Sequence, residues 1–255
     1  MSVVIGCRMA DGRRAVLKVS PDRIRLVNEA AALESWATAH TPSVLAVDES
    51  AGALLLEAIE PGDPLIDSTT YPSVESVAEL LTSLQETGLP EPSYPPLANR
   101  IAYLFDSGTK PYERRPELLE LLPLTLYENG RILATRLVED VAPTSLLHGD
   151  LTPSNILDGG SERGLVAIDP APCLGDDLAF DAVDLLLWQA DDVELIAARA
   201  EQLARALGVD AGRMLDWCIA FAGMTALELA EAPESSRGRL EAALTLARQA
   251  PTGQA

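Results

Sequence analysis

Leu146-Leu147-His148-Gly149-Asp150-Leu151-Thr152-Pro153-Ser154-Asn155 is the stretch that decides how this chain is read. An apolar pair runs into a sharp turn at His148-Gly149, and Asp150 and Asn155 stand five positions apart beyond it. Fourteen residues past Asn155, a second carboxylate, Asp169, closes the apolar run Leu165-Val166-Ala167-Ile168. Transfer of a phosphoryl group proceeds through a loose transition state, so the protein mainly positions groups and neutralises charge. One carboxylate accepts the proton of the attacking hydroxyl, while an amide oxygen and a second carboxylate hold magnesium against the phosphates. Asp150 suits the first role, and the hard oxygens of Asn155 and Asp169 suit the second. Asp158-Gly159-Gly160 reads as a turn between two short strands, which would bring Asn155 and Asp169 to the same end of a hairpin. Taken singly, an Asp or Asn beside Gly or Pro is an ordinary turn residue bonded to nearby backbone. Spacing and strand context together favour the chemical reading.

Lys18 adds a separate signal. The chain has only two lysines, Lys18 and Lys110, and Lys18 lies inside the apolar strand Ala15-Val16-Leu17-Lys18-Val19. Strand alternation alone would allow it to face solvent. Beside the Asp/Asn/Asp set, its compact ammonium is expected to reach the inner phosphates of a nucleotide donor. A helix read from Asn28-Glu29-Ala30-Ala31-Ala32-Leu33-Glu34-Ser35-Trp36 offers Glu29 as the ion-pair partner that fixes the ammonium, with Glu34 as the alternative farther along.

His148-Gly149-Asp150, four residues, then Asn155 resembles the catalytic loop of aminoglycoside phosphotransferases. Ala167-Ile168-Asp169-Pro170, with Gly175-Asp176 and Phe180-Asp181-Ala182-Val183-Asp184, is similar to the branch containing streptomycin 6-phosphotransferases and hydroxyurea phosphotransferases. The resemblance extends over most of the chain, through the Lys18 strand, Leu54-Leu55-Leu56-Glu57, Pro61-Gly62 and Trp217-Cys218. It implies an α+β, protein-kinase-like fold of two lobes. Residues 1–61 would form a small β-rich N-lobe that binds the nucleotide, and residues 62–255 a larger helical C-lobe with the catalytic loop and acceptor site. It implies ATP as donor, Mg2+, and a small molecule bearing a hydroxyl as acceptor. In such a fold the strand ending at Glu57 leads into the connection between lobes, where backbone groups of Glu57, Ala58 and Ile59 would meet the adenine. His148 and Asp176 would support the catalytic loop, although Gly175-Asp176-Asp177 reads equally as a helix cap with an acidic first turn.

Two departures from the family pattern are visible. Thr152 stands where the family has a second His and Ser154 where it has Gly. The chain also opens at Ser2-Val3-Val4-Ile5-Gly6-Cys7, with Asp11-Gly12 as a hairpin turn before the Lys18 strand. The expectation is therefore an N-lobe lacking the family's first strand and phosphate-covering loop.

Composition narrows the setting. With 47% hydrophobic residues, the 255-residue chain can bury a real core, yet it has no charge-free apolar stretch of ~18 residues to span a membrane. No secretory leader pattern is present, and Cys7, Cys173 and Cys218 lack metal-like spacing, which suits a reducing cytoplasm. The formal charge of −20, from 39 acidic and 19 basic residues, disfavours nucleic acid as a partner. It is compatible with a cationic acceptor such as an aminoglycoside, though acidity more often serves solubility.

The helical pattern begins after Ser73, with Val74, Val77, Leu80, Leu81 and Leu84 on one face. Residues 88–96 are too rich in proline for regular structure. Helices are expected over 97–105, 116–126 and 131–138, with Pro123 kinking or ending the second. Asp177 to Gln249 reads as almost continuous helix, broken near Val209-Asp210 and Ala232-Pro233. Three functions fit these readings: an antibiotic kinase, a metabolic kinase for an amino alcohol or sugar, and a regulatory pseudokinase. The set Lys18, Asp150, Asn155 and Asp169 argues against the last. The absence of an Arg between His148 and Asp150, and of Asp-Phe-Gly and Ala-Pro-Glu, argues against a protein kinase.

Overall fold

A computed structural model describes residues 2–91, 93–232 and 237–252. The elements, in chain order, begin with β1 (Val3–Arg8), β2 (Arg14–Val19), α1 (Arg23–Trp36), β3 (Val44–Asp48), β4 (Ala53–Glu57) and α2 (Val74–Thr87). Helices α3 (Leu97–Ser107), α4 (Lys110–Arg114), α5 (Leu118–Leu121) and α6 (Leu124–Glu139) follow. Then come β5 (Leu146–Leu147), β6 (Ile156–Asp158), α7 (Gly160–Arg163), β7 (Leu165–Ala167) and β8 (Cys173–Leu174). The last four helices are α8 (Leu178–Leu187), α9 (Val193–Leu207), α10 (Ala211–Glu231) and α11 (Arg237–Ala247). They group into two compact units, Met1–Tyr94 with Pro143–Asp176, and Pro95–Ala142 with Asp177–Ala255.

The first unit is built on an antiparallel sheet of order β1-β2-β4-β3. Gly12, at φ +90°, makes the turn between β1 and β2, as Asp11-Gly12 predicts. Helix α1 starts at Arg23, earlier than expected, because the Asp22 carboxylate accepts a hydrogen bond from the Arg25 backbone N–H and caps it. Its Leu26, Glu29, Ala30, Leu33 and Trp36 are buried, a helical stripe facing inward. Ser73 caps α2 as expected, and Val77, Leu80, Leu81 and Leu84 are buried. Each such large apolar side chain contributes about 1.5–3 kcal/mol when fully buried. The hairpin expected after Asn155 is present as β6 and β7, with Ile156 opposite Ala167 and the single-turn α7 between them.

This hairpin is tied to the segments around the sheet. The Gly62 N–H donates to the Asp158 carbonyl (2.8 Å), and the Asp158 N–H to the Asp63 carbonyl (2.9 Å). Arg163 fans its guanidinium over three acceptors at 2.8 Å each: the Ala39 carbonyl, the Thr41 carbonyl and the Glu57 carboxylate.

The second unit is helical and centres on α10, which packs on α6, α8, α9 and α11. Phe105, Tyr127, Phe180, Trp217 and Phe221 form its aromatic core, with ring centroids 5.3–6.1 Å apart in edge-to-face and tilted pairs. Two expectations change here. The helices expected over 116–126 and 131–138 are instead the short α5 and one long α6, because Pro123 stands at the start of α6, where a missing N–H costs nothing. The run after Asp177 is also broken at Trp188–Asp192, where extended backbone ends α8 and the Asp192 carboxylate caps α9. The break near Val209-Asp210 is found, with Gly208 at φ +70° ending α9. That near Ala232-Pro233 lies at the edge of the described residues, Pro233 being outside them. Among the described residues no helix is long and apolar enough to cross a membrane.

Candidate active site

Strand β2 delivers Lys18 inward. Lys18 is 7% exposed and its Nζ donates to the Glu29 Oε2 atom of α1 at 2.6 Å. Glu29 is buried and Glu34 is exposed, so the helix presents the first of the two candidate carboxylates. Burial pushes the Glu29 carboxyl above its usual range, and the Lys18 ammonium opposes that rise. The same Nζ donates to Asp169 Oδ1, also at 2.6 Å, although the two residues are 151 apart in sequence. Arg25, one turn before Glu29, approaches that oxygen at 3.5 Å through Nη2.

Asp169 follows β7 with φ of +52°, a left-handed conformation that Asp tolerates better than most residues. The bend turns its carboxylate towards Lys18. Its neighbour Ile168 donates its N–H to the Asn155 carbonyl (2.9 Å), so Asn155 and Asp169 stand at one end of the hairpin. Asn155 donates its side-chain amide to the Asp150 carbonyl (2.9 Å) and to Asp150 Oδ2 (3.2 Å). Asp150 and Asn155 are both half-buried.

His148 holds the loop from beneath. It is fully buried, its Nδ1 accepts from the Asp150 N–H (3.3 Å), and its Nε2 lies 3.1 Å from the Ile168 carbonyl. These contacts fit a neutral imidazole with its hydrogen on Nε2. The Trp36 indole stacks on this ring, centroids 5.9 Å apart and planes 15° from parallel. Gly149 has φ of +78°, and a Cβ there would lie 2.1 Å from the Ala171 carbonyl oxygen, so only glycine fits. The loop closes although Thr152 and Ser154 replace the family's His and Gly, their hydroxyls bonding each other at 2.8 Å.

The other expected residues divide. The Glu57 side chain belongs to the scaffold: its oxygens accept from Arg163 and from the N–H and hydroxyl of Ser43. Ala58 and Ile59 leave the sheet half-buried. Asp176 is exposed, whereas Asp177 beside it is buried. In the second unit Asp177 caps α8 and accepts from Trp217 Nε1 (2.6 Å) and from Arg213 (2.7–2.8 Å). Arg25 and Arg163 are the residues that sequence reasoning missed, whereas the helix cap read at Gly175-Asp176-Asp177 is found at Asp177. Its bonds to Arg213 and Trp217, 36 and 40 residues away, left no local signal.

Among the described residues no cluster of three His, Cys, Asp or Glu side chains could hold a metal alone. Asn155 and Asp169, at one end of the hairpin, carry oxygen donors of the kind that fits magnesium, since that ion keeps several waters and is bound by one or two carboxylates plus substrate phosphates.

The family model described as aminoglycoside/hydroxyurea antibiotic resistance kinase matches residues 1–232. A hydroxyurea phosphotransferase from Kitasatospora aureofaciens is 30% identical over 238 residues, covering 86% of this chain. The match spans 63% of that relative's length. Among solved structures, a choline kinase from Streptococcus pneumoniae superposes with a TM-score of 0.64 at 13% identity, over 96% of this chain and 89% of that one. A choline/ethanolamine kinase family protein from Mesorhizobium loti gives 0.63 at 19% identity, over 96% and 84%. These two speak to the fold, which is the expected α+β, protein-kinase-like one.

Proposed function

Since the chain belongs to the aminoglycoside/hydroxyurea antibiotic resistance kinase family, we propose that it transfers the γ-phosphate of ATP to a hydroxyl of a small molecule, an aminoglycoside-type antibiotic such as streptomycin. The observation that carries this reading is Lys18 Nζ standing 2.6 Å from both Glu29 and Asp169, with Asn155 and Asp150 on the adjoining loop. In this reading Glu29 fixes the ammonium, Lys18 binds the inner phosphates, and Asn155 and Asp169 hold Mg2+. Bound magnesium supplies neutralisation of the phosphate charge. Asp150 accepts the acceptor's hydroxyl proton as its oxygen bonds to the γ-phosphorus and ADP departs. His148 keeps the Asp150 backbone in place from below. Glu57, Ala58 and Ile59 carry the backbone edge for the adenine, and Asp176 supports the loop.

The same reading divides the chain into a nucleotide lobe, residues 1–61, and a catalytic and acceptor lobe, residues 62–255. It places the protein in the cytoplasm, where ATP is available. The relative that is 30% identical is a hydroxyurea phosphotransferase, which makes hydroxyurea the second candidate acceptor. A metabolic acceptor such as an amino alcohol would use the same donor residues.

The test is magnesium-dependent transfer from ATP to streptomycin, other aminoglycosides, hydroxyurea and choline, read as product mass beside an Asp150→Ala control. A phosphorylated antibiotic from the wild type alone supports the proposal. A phosphorylated choline alone would move the protein to metabolism. ATP binding without any product would leave a nucleotide-binding protein with another acceptor.

A further inference from the structure

We propose that Arg25 is a second cationic ligand for the phosphates of the donor; this rests on the nucleotide-binding reading above. Arg25 and Glu29 lie four residues apart on α1, so both face the Lys18 and Asp169 side. Two cations converge on one oxygen there: Lys18 Nζ at 2.6 Å and Arg25 Nη2 at 3.5 Å from Asp169 Oδ1. They are not equivalent. The Lys18 side chain is 9% exposed and already committed to Glu29, whereas that of Arg25 is 52% exposed and loosely held.

Arg25 sits in the first turn of α1, at the positive end of the helix dipole, where the acidic group on the helix itself is the N-cap Asp22, engaged with the Arg25 backbone N–H. A cation there is unfavourable unless an anion offsets it. Asp169 does so now. A cation bound to Asp169 would take that oxygen, and of its two present partners Arg25 is the one free to leave. Its guanidinium would then stand beside the metal site with no carboxylate, and its planar fork matches phosphate oxygens. Arg25 thus exchanges Asp169 for the phosphate when metal and nucleotide enter together.

Binding measured by calorimetry separates the possibilities, using ATP and adenosine with wild type, Arg25→Gln and Arg25→Lys, each with magnesium and with EDTA. The proposal expects Arg25→Gln to weaken magnesium-ATP about tenfold, the size of one charge-assisted hydrogen bond, while adenosine affinity stays unchanged. Arg25→Lys, which keeps the charge and loses the fork, should recover only part of the loss. Equal losses for ATP and adenosine would make Arg25 a scaffold residue and overturn the proposal. Unchanged magnesium-ATP affinity would overturn it too, with the nucleotide site intact. A wild type that binds neither ligand would overturn the underlying reading as well.

Discussion

Asn155 points its side-chain NH2 at Asp150, 2.9 Å from the backbone carbonyl and 3.2 Å from Oδ2. With the amide nitrogen engaged, the amide oxygen is the end left to meet a cation. One side chain can thus orient the proposed base and serve the proposed metal site. Removing the base should separate chemistry from binding. Asp150→Ala is expected to lower turnover by about 10²–10⁴-fold and leave ATP affinity close to wild type. Turnover at the wild-type rate would reject Asp150 as the base.

Asp169→Asn offers a gentle probe of the metal site. Asn shares the tolerance for left-handed backbone that φ +52° requires, so the fold should hold while the charge is lost. Magnesium-ATP affinity should fall by roughly tenfold or more, because magnesium relies on one or two carboxylates. Magnesium-free ATP should bind no worse. An unchanged magnesium requirement would take Asp169 out of the metal site.

Lys18→Met should produce a stability defect that depends on pH. Glu29 already titrates above its usual value of 4.5, because burial outweighs the help from Lys18. Without Lys18 its folded pKa rises further. A raised folded pKa means that stability is intact below the unfolded value and lost as pH climbs through the folded one. Breaking a buried pair costs about 3–5 kcal/mol, so urea melts should show a deficit of that order at pH 8 that narrows towards pH 5. A deficit equal at both pH values would mean that Glu29 is not the cause.

Gly149→Ala is expected to destabilise the first unit, since the new methyl group meets the Ala171 carbonyl and the backbone must hold φ +78°. Strain of this kind costs about 1–3 kcal/mol, visible as a lower thermal midpoint. A midpoint equal to wild type would show that the loop can relax.

Asp177→Ala should cost more, about 3–5 kcal/mol, because it leaves the Arg213 guanidinium and the buried Trp217 indole N–H without their carboxylate. Denaturant unfolding measures this. A loss below about 1 kcal/mol, the range of a surface ion pair, would show that water replaces the carboxylate.

What the sequence revealed follows the range of the interactions. The Asp150–Asn155 loop, the Asn155-to-Asp169 hairpin and the Lys18 strand are local patterns, and each is found where its spacing places it. Glu29 was separable from Glu34 by its place on the helix alone. The Arg163 clamp was not legible, because its bond to Glu57 spans 106 residues and Arg163 sits in no motif. Arg25 was hidden likewise, since its contact with Asp169 spans 144 residues. Pro123 shows a different limit: the same residue signals a kink within a helix or the start of one, and packing of the following stretch decides between them.

The stacking of Trp36 on His148 gives the protein an optical reporter. The chain has three tryptophans, and Trp36 belongs to the unit with Lys18, Asp150 and Asp169, while Trp188 and Trp217 belong to the other. Its indole nitrogen is sealed without a hydrogen-bond partner, close enough to Gly88 that a Cβ there would come within 2.4 Å. The ring is buried, and its stacked aromatic neighbour is the His148 imidazole. A shift of His148 as the loop engages a ligand is therefore expected to change native fluorescence, readable in a stopped-flow instrument with no label attached.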